Sequence, residues 1–333
     1  DQDRPIKSSA TAQPGDALLD AACERARQGL PAEAVTLHVD EHWQAPPASS
    51  SHQVTYCVDA DSGCRQADID GMVFSLDDPC LLQPVAIKKP WGQEIWYTGI
   101  EARGESRILP QPEADTALPL GTYLALAPEY LTSGQTPLLL KILDPLPTPV
   151  LGELYLEVHE TKQEAYVVTG IDPSAWPDGK GRIRFGINQQ HRQTFSDDQA
   201  FRAAFLDALT AYEAVRRRVD AGEQGLAEQE AAASAACLAF TDEQQLNIGD
   251  VIRVPTWVPH SLQQGVRVVE FQTQTYERYI LSSSQKVLTQ DHWDSAHAVA
   301  NLQLDPPAAP APEPVNGHCE RIVGLSLIHI SEP

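Results

Sequence analysis

Hydrophobic spacing changes twice along this chain. Residues 1 to about 80 carry a helical pattern from Asp16 to Gln28, then Pro/Ser-rich and Cys-bearing stretches, and predict an irregular extension with no assigned function. From Val85 the texture becomes that of short strands between Gly/Pro turns. Lys88 to Tyr97 reads as a turn followed by a strand with aromatic alternation, and further strands are predicted at Gly121 to Leu126, Leu138 to Leu143, Leu154 to His159 and Ala165 to Thr169. Many short strands of this kind predict a mainly β sandwich or barrel.

A helical region then interrupts the strands, at about residues 195–240. Ser196 is placed to cap a helix whose first turn carries Asp197 and Asp198, where carboxylates oppose the helix dipole favourably. Phe201, Phe205, Ala208, Tyr212, Val215 and Val219 recur at spacings of four and three, one apolar stripe that Leu209 widens. Gly222 ends the pattern, and an Ala-rich second helix is predicted from about Leu226 to Ala239. Strands resume at Val251 to Val254 and from Val266 to Ile280, through Tyr276. A short helix from about Asp294 closes the ordered part. The run Pro306 to Pro314 predicts a stiff extended linker.

The resulting division is an extension over 1–80, a main domain over 81–303, and a linker with tail over 304–333. The last residues, Leu325 to Pro333, resemble a translated sequencing adapter and are excluded from fold reasoning. The natural protein is expected to continue into a further C-terminal domain. Asp1 is not a methionine, so a leader could precede it.

Charge narrows the partners. Among 333 residues, 46 acidic side chains face 24 basic ones, a formal net charge of -22. Such a chain repels nucleic-acid phosphates and anionic membranes, which excludes both as expected partners. An anionic substrate would require lysines and arginines concentrated at its site. No apolar run approaches the roughly 20 residues of a membrane-spanning helix. The six cysteines include no CxxC pair and predict reduced thiols and a cytoplasmic location.

Two distant runs carry candidate chemistry. The first, Leu154 to Glu164, offers Glu157, His159 and Glu164; the second, Gly249 to His260, offers His260. On a strand, Glu157 and His159 share a face while Val158 points away. Glu164 opens the next strand, and His260 follows a turn held by Pro255 and Pro259. Together they form an N/O set suited to a divalent transition metal.

These runs resemble the type I phosphomannose (mannose-6-phosphate) isomerases of the cupin superfamily, over about residues 85–299. Pro137 to Leu143 is similar to the family's strand leading into the metal motif. Leu154 to His159 is similar to its L-S-x-Q-x-H, and Lys162-Gln163-Glu164 to its K-P-E or K-T-E. Gly249 to His260 is similar to its G-D-x-x-x-V-P-x-G-x-x-H, and Glu270-Phe271-Gln272 to its E-x-Q strand. The resemblance implies a cupin jelly-roll barrel with an inserted α-helical region. It also implies aldose–ketose isomerisation of a sugar phosphate, mannose 6-phosphate to fructose 6-phosphate. Its implied ligands for Zn2+ are Glu157, His159, Glu164 and His260. Lys141, Lys162 and Arg278 are implied to bind substrate, and Arg278, Lys162 and Glu270 to act in catalysis.

Four departures bear on the substrate more than on the fold. Glu157 stands where the family has glutamine, adding a charge that favours Fe2+ or Mn2+ as alternatives to zinc. Tyr155 replaces a serine, the segment from Glu270 to Arg278 is two residues shorter, and the linker follows where a second small barrel is usual. Two other readings stay open: an iron-dependent cupin oxygenase using His159, Glu164 and His260, and a non-catalytic sugar-binding cupin module.

Overall fold

The computed structural model describes residues 14–41, 48–59, 61–101, 103–135, 137–148, 154–275, 277–284 and 292–307. The linker beyond Pro307, the tail and Tyr276 lie outside these residues.

Two antiparallel sheets form the body of the protein. The larger runs, edge to edge, through Val251–Val254, Glu164–Ile171, Val266–Gln272, Leu139–Pro145, Gly92–Trp96 and Val85–Lys89. The smaller runs through Thr241–Leu246, Gly181–Ile187, His260–Leu262, Leu156–Val158 and Tyr279–Ser282. Leu143, Tyr166, Val168 and Val268 of the first meet Ile183, Phe185, Leu246 and Leu262 of the second in one buried cluster. Strand alternation sends these residues inward and their neighbours out. The fold is mainly β, as the sequence predicts, with the helical insertion in its expected place.

The inserted helices, Asp198–Asp220 and Ala227–Leu238, cover the outer face of the smaller sheet. Phe201, Phe205, Leu209 and Tyr212 pack there against Leu156, Val158, Ile187 and Ile280. Each such buried side chain contributes about 1.5–3 kcal/mol. Leu209 lies at the centre of the stripe, fully buried. The cap is Asp197, not Ser196: its carboxylate accepts the Ala200 N–H at 2.8 Å. Gly222 follows the helix with φ +89°, a left-handed stop that glycine adopts without strain.

Other expectations are corrected. The 1–80 segment is not irregular where it is described. It forms a helix, Pro14–Arg27, and a four-stranded antiparallel sheet of Ala34–Glu41, Ala48–Val58, Arg65–Ile69 and Met72–Ser75. Leu37, Val54, Tyr56, Ile69 and Phe74 share a core with Ile100, Ile108, Leu120 and Tyr123, which continues past residue 81. One signal was present: Asp70-Gly71, both at positive φ, is a two-residue hairpin turn.

Of the expected strand from Gly121 to Leu126, residues 121–125 are helical rather than extended, within Leu120–Ala125, and Leu126 caps that helix. Leu120, Thr122 and Tyr123 are all buried there, and a short apolar run does not distinguish strand from helix by period. The single run from Val266 to Ile280 is two strands on opposite sheets, Val266–Gln272 and Tyr279–Ser282. Strands Gly181–Ile187 and Thr241–Leu246 were not predicted. The second is almost wholly polar, and its partner pins it in place.

Candidate metal centre

The site lies between the sheets and is built by alternation. Leu156 and Val158 point under the helices, so Glu157 between them faces the barrel interior. Glu157 is the register partner of His260, and Phe185 pairs with His260 on its other side. From the larger sheet, Glu164 and Tyr166 point in from one strand, and Glu270 and Gln272 from the next. Lys141 is the register partner of Glu270.

The turn between His159 and Glu164 is pinned from outside the strand pair. The Glu277 carboxylate accepts the Glu160 N–H and accepts the Thr161 N–H at 2.9 Å. The Tyr279 hydroxyl donates to Glu160 Oε2 at 3.1 Å, and the Gln163 N–H donates to Thr273 Oγ1 at 3.2 Å.

The four side chains singled out in the sequence converge. His159 Nε2 is 3.8 Å from Glu157 Oε1 and 3.5 Å from Glu164 Oε2, and His260 Nε2 is 3.3 Å from that same oxygen. One ligand atom from each of Glu157, His159 and His260 lies within 4.8 Å of the others. Two ligands about 2.1 Å from one ion at a tetrahedral angle are about 3.4 Å apart, so these separations fit a shared divalent cation. His159 and His260 are 1% and 2% exposed, and the Nε2 of each lacks a hydrogen-bond partner. Buried polar atoms left unpaired in this way are costly unless something else satisfies them. The His260 ring is oriented by its Nδ1, 3.0 Å from the Val258 carbonyl, which leaves Nε2 toward the cluster.

Electrostatics favour charged carboxylates here. Burial opposes ionisation of Glu164, but Lys162 against it and the two histidines hold it well below the usual range. Glu157 is likewise lowered against burial, by His159 and Lys162. Burial and Lys162 push His159 down, toward the neutral form a metal needs. Burial pushes His260 down, but Glu164, Glu157 and the Val258 carbonyl together raise it.

A second ionic chain runs beside the cluster. Lys141 Nζ lies 3.2 Å from Glu270 Oε2 and 3.6 Å from Glu94 Oε2, and Lys89 lies 3.3 Å from Glu94 Oε1. Although burial opposes it, Lys141 and Lys89 bring Glu94 down to about 2. Burial opposes the charge on Lys141, but Glu270 and Glu94 raise it in turn. Glu270, 1% exposed, moves the other way, because burial and neighbouring Glu164 outweigh Lys141.

These groups line a cavity of about 90 Å³. Its walls bring three lysines and two arginines against five glutamates, a balance found in a chain whose net charge is -22. Arg278 is part of the wall, its guanidinium 4.3 Å over the Tyr155 ring. Sequence reading missed Glu94, Lys89 and Tyr166, whose hydroxyl donates to Glu164 Oε2 at 2.7 Å. Tyr166 was legible as the residue two beyond Glu164 on one strand face. Glu94 and Lys89 depend on which strands pair.

No family model matches this chain, and no curated protein matches it. Among solved structures it is similar to the mannose 6-phosphate isomerase of Bacillus subtilis, with 16% identity and a TM-score of 0.46 over 70% of this chain and 71% of that one. It is also similar to a variant of Salmonella typhimurium phosphomannose isomerase, at 13% identity and TM-score 0.46 over 68% and 74% of the two chains. A zinc-bound mannose 6-phosphate isomerase gives 14% and 0.46, over 68% and 75%. What this cleft can do follows from its own residues.

Five of the six cysteines lie in described residues, and all five are free. Among the described residues no helix is long and apolar enough to cross a membrane.

Proposed function

We propose that residues 81–303 form a metal-dependent aldose–ketose isomerase of the cupin superfamily. Its substrate is a sugar phosphate, with mannose 6-phosphate and fructose 6-phosphate as the pair. The observation that carries this reading is the meeting of Glu157, His159, Glu164 and His260 beside a cleft where an acidic chain has gathered Lys141, Lys162 and Arg278. The free cysteines fit a reducing, cytoplasmic setting.

A divalent ion held by the four residues, Zn2+ or else Fe2+ or Mn2+, supplies Lewis-acid polarisation of adjacent sugar oxygens. The remaining work belongs to side chains. Isomerisation moves a proton between C1 and C2 through a cis-enediol: a base within hydrogen-bond reach takes it from one carbon and returns it to the other, while negative charge grows on the sugar oxygens. Lys162 and Arg278 oppose that charge, and Arg278 can grip a phosphate through two N–H donors. Glu270, which retains its proton more strongly than an ordinary carboxyl, can deliver that proton to a sugar oxygen and recover it. Lys141 keeps Glu270 and Glu94 in place.

The test is to incubate pure, zinc-loaded protein with either sugar phosphate. Interconversion that disappears in His260→Ala is expected, and no interconversion by metal-loaded protein overturns the reading. One observation favours a second reading: Glu164 Oε2 is close to both histidines, and two histidines with one carboxylate suit an iron oxygenase. Iron in protein purified without chelator, together with oxygen uptake, would select it.

A further inference from the structure

Just ahead of His260 the chain makes a tight turn, closed by the Val258 N–H on the Pro255 carbonyl. Its third residue is Trp257, with φ +60°. That position in such a turn usually goes to glycine or asparagine, because a Cβ crowds the backbone there. A bulky residue persists in this conformation only where its surroundings hold it.

Those surroundings are the segments that build the metal cluster. The Trp257 N–H donates to the His159 carbonyl at 2.7 Å, and its own carbonyl accepts the Gln303 N–H at 2.8 Å. The indole stacks on Tyr279, ring centroids 5.5 Å apart and planes at 14°, with His297 edge-on at 5.6 Å. Tyr279 in turn donates to Glu160, next to His159. One residue thus ties the main chain of His159, the turn after it, and the approach to His260. Glu157 pairs with His260, but His159 lies one residue past its strand, where the Trp257 N–H is the bond that meets its carbonyl.

We propose that Trp257 is a positioning residue of the metal centre. Its left-handed backbone and stacked indole fix the separation of the His159 and His260 Nε2 atoms. The proposal rests on the reading of the four residues as metal ligands, and its test separates the two. Cobalt or zinc affinity is measured by chelator competition, with the visible absorption of the cobalt form, for wild type, His260→Ala, Trp257→Ala and Trp257→Phe. Thermal unfolding of the metal-free proteins is followed in parallel. Trp257→Ala is expected to weaken binding by about 10–100-fold, the usual effect of losing support behind a ligand, and to change the cobalt spectrum. Trp257→Phe, which keeps a ring for Tyr279, restores both to near wild type. Wild-type affinity and spectrum in Trp257→Ala overturn the proposal alone. So does a failure of Trp257→Phe to restore binding when its metal-free form melts with the wild type. Wild type that binds no stoichiometric metal, or binds as His260→Ala does, overturns the ligand reading and the proposal with it.

Discussion

Lys141→Met should be among the most damaging substitutions in the larger sheet, with a pH signature that identifies the cause. Lys141 is 8% exposed and lies between Glu94 and Glu270. Glu94 sits at about 2 against an ordinary 4.5. At 1.36 kcal/mol for each tenfold change in proton affinity, its charged form is favoured in the folded state by about 3 kcal/mol. Lys141 makes the largest favourable contribution, ahead of Lys89 and the Trp96 N–H.

Methionine keeps the length of the side chain and leaves a buried carboxylate poorly compensated, which costs about 3–5 kcal/mol. In wild type the depressed Glu94 stabilises above pH 4.5, and that contribution is lost as pH falls through about 2. In the variant, burial is opposed only by Lys89 and Trp96, so the folded-state value of Glu94 rises. A raised carboxylate stabilises only at low pH, so the deficit of the variant grows as pH rises. Urea unfolding at about pH 5, 6.5 and 8 measures it, and Lys141→Met/Glu94→Gln should recover more than half. A deficit below about 1 kcal/mol, or one unchanged across that range, or no recovery in the double variant, would refute the reasoning.

Other substitutions separate the site from its scaffold. Glu157→Gln removes one charge from the donor set, so Mn2+ and Fe2+ should lose affinity relative to Zn2+ in a competition measured by elemental analysis. Metal binding itself should fade on acidification, because protons compete at His260, whose raised value makes it protonate sooner than an ordinary histidine; affinity measured from about pH 8 to pH 5.5 checks this. Phe205→Ala empties a fully buried position stacked on Phe240 at 4.7 Å, and should cost about 3–5 kcal/mol in urea unfolding while folded protein still binds one metal ion. Asp197→Ala removes the helix cap and should cost about 1 kcal/mol.

The sequence by itself determined which side chains share a face. Period two put Glu157 and His159 together and turned Val158 away from them; period four and three gave the stripe through Phe201 and Phe205. These are local properties of a chain, fixed by the geometry of one strand or one helix. The tertiary structure decided what those faces meet. Lys141 reaches Glu94 and Glu270 because its strand lies between theirs, a pairing that no spacing encodes. It also decided that the N-terminal strands share a core with Tyr123, and that a tryptophan stands in a left-handed turn beside the cluster. Those outcomes depend on contacts between residues far apart in sequence, whose energies exist only once the sheets have closed.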